Sequence, residues 1–68
     1  MNKLLAWRHE RGLSRAELSR RWAVPAETIR RWEAGMRVPE PEMMAVIYAE
    51  TAGMVGPGDF YDLPPLAV

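Results

Sequence analysis

The sequence predicts an all-α fold, a small bundle of four to five short helices, on three observations. Large apolar side chains recur at three- and four-residue spacing: Leu4 and Trp7, Leu18 and Trp22, Ile29 and Trp32, Met44 and Ile47. Gly12, Pro25, Gly35, Pro39 and Gly53 fall between those stretches and interrupt them. No run of useful length alternates apolar with polar residues, as a half-buried β-strand requires.

Each helix has its own start and stop signals. Helix 1 is expected from about Asn2 to Arg11, with Leu4 and Trp7 inward and Gly12 as a left-handed cap. Leu13 returns to the core. Ser14 is an N-cap with Glu17 three residues on, the capping-box pattern, and opens helix 2 over Arg15 to Trp22. Ala23, Val24 and Pro25 break it. Pro25 suits the first position of helix 3, which should run to Ala34 and end at Gly35. Met36 to Pro39 reads as a loop, because the residue before a proline avoids helical angles. Pro41, with Glu40 and Glu42 beside it, opens helix 4, whose apolar positions are Met44, Ile47, Tyr48 and Thr51 before Gly53 stops it. Pro57, Gly58 and Asp59 should start one last turn that delivers Phe60 or Tyr61 to the core. Residues 1–63 thus form one domain, and 64–68 (Pro-Pro-Leu-Ala-Val) an extended or flexible tail.

At 68 residues the chain is near the lower limit for independent folding, and without cysteine it has no disulfide or thiolate metal site to help. The expected core is therefore dense: Leu4, Trp7, Leu13, Leu18, Trp22, Val24, Ile29, Trp32, Met44, Ile47 and Phe60. The helical spacing of the three tryptophans favours packing over a role as stacking platforms for single strands. Met36, Met43, Met44 and Met54 suit a position partly in the core and partly at an interface.

The formal net charge of zero conceals a division. All nine cations, eight of them Arg, lie at or before Arg37, and residues 1–37 carry +5. From Val38 onward only Glu40, Glu42, Glu50, Asp59 and Asp62 are charged, giving −5. Such asymmetry implies one anion-facing end and one solvated or partner-facing end. Two short helices crossing over an apolar centre, with Glu27, Arg30 and Arg31 on the outer face of the second, have the geometry that places a helix in the DNA major groove.

The order of Trp7-Arg8, Gly12-Leu13-Ser14, Glu17-Leu18-Ser19, Val24, Ile29, Trp32-Glu33, Gly35 and Pro39 resembles the phage-repressor family of helix-turn-helix proteins, the Cro-like or XRE-type class. The resemblance covers most of the chain and implies a DNA-binding domain with its helix-turn-helix at helices 2 and 3. It implies an ion pair between Arg8 and Glu33, each costly to bury alone beside the tryptophans. It also makes helix 3 the recognition helix, with Ala26, Glu27, Thr28, Arg30 and Arg31 facing base edges. Arg30 or Arg31 suits guanine O6 and N7, Glu27 suits cytosine N4, and Ala26 a thymine methyl. Arg31 is the first choice for a base contact, because Arg30 lies nearer the side that meets a phosphate strand. Ser14, Arg15 and Arg37 are the expected phosphate contacts; for Arg20 and Arg21 a solvated role weighs at least as much as a contact role. The chain departs from the family pattern at Ala23, where a turn glycine is frequent, and at Ser19, where a small alanine is.

The implied partners are a double-stranded DNA operator and a second copy of the chain, paired through the C-terminal half with Phe60, Tyr61 and Leu63. The alternative is an antitoxin or other protein-interaction module of the same fold. No cofactor, metal or small-molecule ligand is expected: His9 is the lone histidine, Asp59 and Asp62 make no acid–base constellation, and there is no nucleotide loop or nucleophile. Enzyme activity is not expected. With neither a membrane-length apolar run nor a signal sequence, the expected location is the cytoplasm.

Overall fold

The computed structural model describes residues 3–60; Asn2, Tyr61, Asp62, Leu63 and the tail at 64–68 lie outside the described residues. Four α-helices follow in order: α1 (Lys3–Glu10), α2 (Arg15–Trp22), α3 (Ala26–Glu33) and α4 (Pro41–Glu50), then a single 3₁₀ turn, Pro57–Asp59. The fold is all-α, as the sequence predicts.

The caps show why the helices begin and end where they do. The Ser14 hydroxyl accepts from the Glu17 amide at 3.1 Å, and the Glu17 carboxylate accepts from the Ser14 amide at 3.0 Å. This reciprocal pair satisfies donors that an α-helix leaves open at its N-terminus. Pro25 is the N-cap of α3 rather than its first helical residue, with ψ 142°. Gly35 adopts φ +74°, and the Met36 amide donates back to the Arg31 carbonyl at 2.9 Å, closing the end of α3.

The core comprises Leu4, Trp7, Leu18, Trp22, Ile29, Trp32, Met44, Ile47, Val55 and Phe60. Trp7 and Trp22 stack with ring centroids 6.2 Å apart and 14° between planes, which ties α1 to α2. Helix α3 packs against both α2 and α1 and so occupies the middle of the arrangement.

Three expectations about the core need correction. Leu13 and Val24 are half-buried and pack on the edge of the core, since each sits in a connection between helices. Tyr48, expected inward, is 54 % exposed. Helix α4 is apolar on most sides (Met43, Met44, Ala45, Val46, Ile47, Tyr48, Ala49), and packing turns Met44 and Ile47 inward instead. Conversely, Val55, read from the sequence as irregular chain, is fully buried. Thr51 explains it: the Thr51 hydroxyl donates to the Ile47 carbonyl at 2.8 Å and accepts from the Val55 amide at 3.0 Å. A single buried hydroxyl thereby folds the chain after α4 back onto the core.

Candidate nucleic-acid interface

The connection between α2 and α3 sets how α3 is presented. Ala23 takes φ 54°, ψ 43°, the left-handed conformation that glycine adopts without a Cβ penalty. The Val24 amide donates to the Ser19 carbonyl at 3.2 Å, and the Ser19 hydroxyl donates to the Val24 carbonyl. Ser19 thus finds a partner for its hydroxyl within the turn, and these bonds hold Ala23 in its strained geometry. Ile29 and Trp32 then seat α3 on the core.

Behind α3 lies an ion cluster. The Arg8 Nε donates to Glu33 Oε2 at 2.6 Å, and Arg8 Nη2 donates to Oε1 at 3.2 Å. Arg8 Nη1 reaches the Leu13 carbonyl at 3.0 Å. The two side chains are 8 % and 2 % exposed, so the expected pair is present and buried. Arg15 departs from expectation. Its Nε donates to Glu33 Oε1 at 2.8 Å, because Arg8 leaves a lone pair there and an unshared buried carboxylate is costly. Arg15 is therefore a structural partner of Glu33, with its side chain 41 % exposed. This structural bond is not foreseen from the sequence, and it uses only the Nε of Arg15.

On the outer face of α3, Glu27, Arg30 and Arg31 are exposed, while Ala26 and Thr28 are half-buried. Glu27 Oε1 accepts from Arg30 Nε at 2.8 Å and Oε2 from Arg30 Nη2 at 2.7 Å; Oε2 also accepts from Arg31 Nε at 3.4 Å. The Arg30 hydrogen bonds, with the arginine charges, hold the Glu27 carboxyl far below its ordinary range, at about 2. Thr28 lines a shallow cleft together with Pro25, Val38 and Arg37, which puts the exposed Arg37 beside the N-terminal half of α3. Ser14 is exposed, with its hydroxyl engaged as the α2 cap.

Away from this face, Arg21 is not merely solvated. It makes a two-bond contact with Glu50 at 2.6 and 3.1 Å, and Trp22 Nε1 donates to the same carboxylate at 3.2 Å. Trp22, then Arg21, lower the Glu50 carboxyl's pKa. The sequence holds no short-range signal for this tie, which joins α2 to the end of α4. Arg11 lies 5.7 Å from the Trp7 ring centroid, on the outside of the tryptophan stack. Among the described residues no group of His, Cys, Asp or Glu is arranged to hold a metal ion, and no helix is long and apolar enough to cross a membrane.

An open apolar groove is lined by Pro39, Pro41, Met44, Ala45, Tyr48 and Pro57, along α4. Met36 and Met54 are 69 % and 54 % exposed. No protein-family model matches the chain, and no curated protein or solved structure matches it either.

Proposed function

We propose that this protein is a sequence-specific reader of double-stranded DNA, a Cro-like transcriptional regulator that lays α3 in the major groove of an operator. One observation carries the reading. The outer face of α3 presents Arg30 and Arg31, with Arg37 beside its start, and the arm of the chain that holds this face contains all nine cations. Arginine is suited both to guanine edges and to phosphate. In this role Arg31 meets a base, Arg37 clamps a phosphate, and Arg15 adds charge near the α2 N-terminus while holding Glu33. Repression follows from occupancy of the operator and involves no chemistry. The site of action is the bacterial cytoplasm, where the DNA is.

A reader with one recognition helix pairs naturally with a second copy, and two-fold pairing spaces the helices by ~34–36 Å along the duplex. The acidic half of the chain, opposite in charge to the α3 face, is the surface proposed for that pairing.

Selection from a random duplex pool tests the proposal. An enriched site should emerge, with affinity falling steeply as salt rises through counterion release. Arg31→Ala should relax preference at one base position, and Arg37→Ala should weaken all sequences alike. A pool that yields no enriched site refutes the reading. The apolar groove along α4 favours a second reading, a protein-interaction module such as an antitoxin, with DNA binding secondary. Under that reading, sedimentation with a partner protein shows a complex whose stability is indifferent to Arg31→Ala.

A further inference from the structure

We infer that Glu27 is a positioning residue for Arg31 and reads no base itself, an inference that rests on the DNA-reading role of α3. Ile29, Trp32 and Glu33 are the buried positions of the helix. With 3.6 residues per turn, Glu27 and Arg31 then stand at the pole opposite the core, and Arg30 about a quarter turn to the side. At that pole both Glu27 oxygens are engaged, Oε1 by Arg30 Nε and Oε2 by Arg30 Nη2 and Arg31 Nε. A carboxylate so occupied accepts from a cytosine amine only by releasing an arginine, so the base contact that the sequence suggests for Glu27 is displaced.

The two arginines are held differently, and the difference sorts their roles. Arg30 gives Glu27 its whole Nε/Nη2 edge at 2.8 and 2.7 Å, forming a closed pair on the flank of the helix. Arg31 gives only Nε, at 3.4 Å. The Nη1/Nη2 edge of Arg31 remains, and that two-donor edge matches guanine O6 and N7. Because Arg30 already balances the carboxylate, Arg31 is the surplus cation of the three, and it stands at the pole that meets the groove floor. The Nε contact, though long, biases Arg31 toward rotamers that keep it beside Glu27 at the pole, which favours one base over a choice of phosphates. The carboxylate carries a cost in the same place, since it repels phosphates on both sides of the groove. Glu27 thus exchanges general affinity for discrimination.

That exchange separates this role from simple surface pairing. Glu27→Ala, compared with the native protein on the enriched site, on every single-base variant of it, and on random duplex, should lower the guanine preference about tenfold. The loss should fall at the same position that Arg31→Ala relaxes, and the double variant should lose no more than Arg31→Ala alone. Affinity for random duplex should rise, with a salt slope steeper by about one unit. Thermal unfolding of each variant verifies that it is folded, which the exposure of both side chains favours. The inference is overturned if Glu27→Ala relaxes a position that Arg31→Ala leaves intact, which would make Glu27 a direct reader. It is equally overturned if base preference is unchanged, which would leave a surface ion pair. A native protein with no base preference at all refutes the DNA-reading role instead, and is distinguished by the first selection.

Discussion

Replacing Arg8 by methionine while leaving Glu33 in place tests the ion cluster that supports α3. Arg8 makes two hydrogen bonds to Glu33 and one to the Leu13 carbonyl, all from a side chain 8 % exposed. A methionine side chain there would fill much of the volume but satisfy none of these acceptors. Removing one member of a buried pair costs about 3–5 kcal/mol, because the remaining charge is left uncompensated. Arg15 still reaches Glu33 Oε1 at 2.8 Å, which places the loss near the lower bound, about 3 kcal/mol. For a domain of this size each kcal/mol moves the midpoint by ~4–8 °C, so Tm should fall by roughly 12–24 °C. Urea unfolding followed by tryptophan fluorescence, together with calorimetry, measures this. Two controls sharpen it. Arg15→Met removes a partner that is 41 % exposed and water-screened, and should cost less than about 1 kcal/mol. Arg8→Met combined with Glu33→Leu removes both charges and should recover most of the stability, since apolar replacement of a whole buried pair is commonly neutral or favourable. An Arg8→Met protein with an unchanged midpoint, or a double variant less stable than the single one, would refute the reasoning.

Three further outcomes are expected. Thr51→Val keeps the shape of a fully buried side chain but leaves the Val55 amide without its acceptor, so stability should fall by about 1–3 kcal/mol and hydrogen exchange at Val55 should accelerate. Ala23→Gly relieves left-handed strain of about 1–2 kcal/mol against an added unfolded-state entropy of about 0.4–1 kcal/mol, so the midpoint should rise slightly in thermal unfolding; a fall would show that Ala23 is unstrained. Glu17, Glu27 and Glu50 all have folded pKa values below the ordinary 4.5, so their stabilising contribution is present above that value and is lost as the pH falls through the folded values, which for Glu27 means toward about 2. A Tm-against-pH series should decline over that acid range, less so at high salt; a flat series would contradict the surface pairings.

Local chemistry is legible where one or two residues decide the outcome. The Ser14–Glu17 capping box places the start of α2, and α2 spans the predicted residues without error. Gly35 ends α3, and Leu18, Trp22, Ile29 and Trp32 are buried as their spacing requires. Helix α4 is less legible, because a helix apolar on most sides carries no periodic signal to select its inward face; Tyr48 faces out against expectation for this reason. Val55 escapes the pattern because it is held by a hydroxyl four residues earlier rather than by helical spacing. At the candidate site, the exposed triad on α3 can be read from periodicity, but not which arginine Glu27 holds more tightly.

Spacing and adjacent residues are enough to give the all-α class, the helix boundaries near strong caps, and the division of +5 and −5 along the chain. The resemblance carried by that same spacing gives the Arg8–Glu33 pairing. Packing in three dimensions was needed to show that Arg15 joins Glu33, that Arg21 and Trp22 share Glu50, and that Ala23 bears the left-handed turn. The three ion-pair and indole partners are 18, 29 and 28 residues apart, and no local period brings them together. They meet because the stacked tryptophans and the buried Ile29 and Ile47 set where the helices cross, and the charged side chains then pair with whatever that packing leaves within reach.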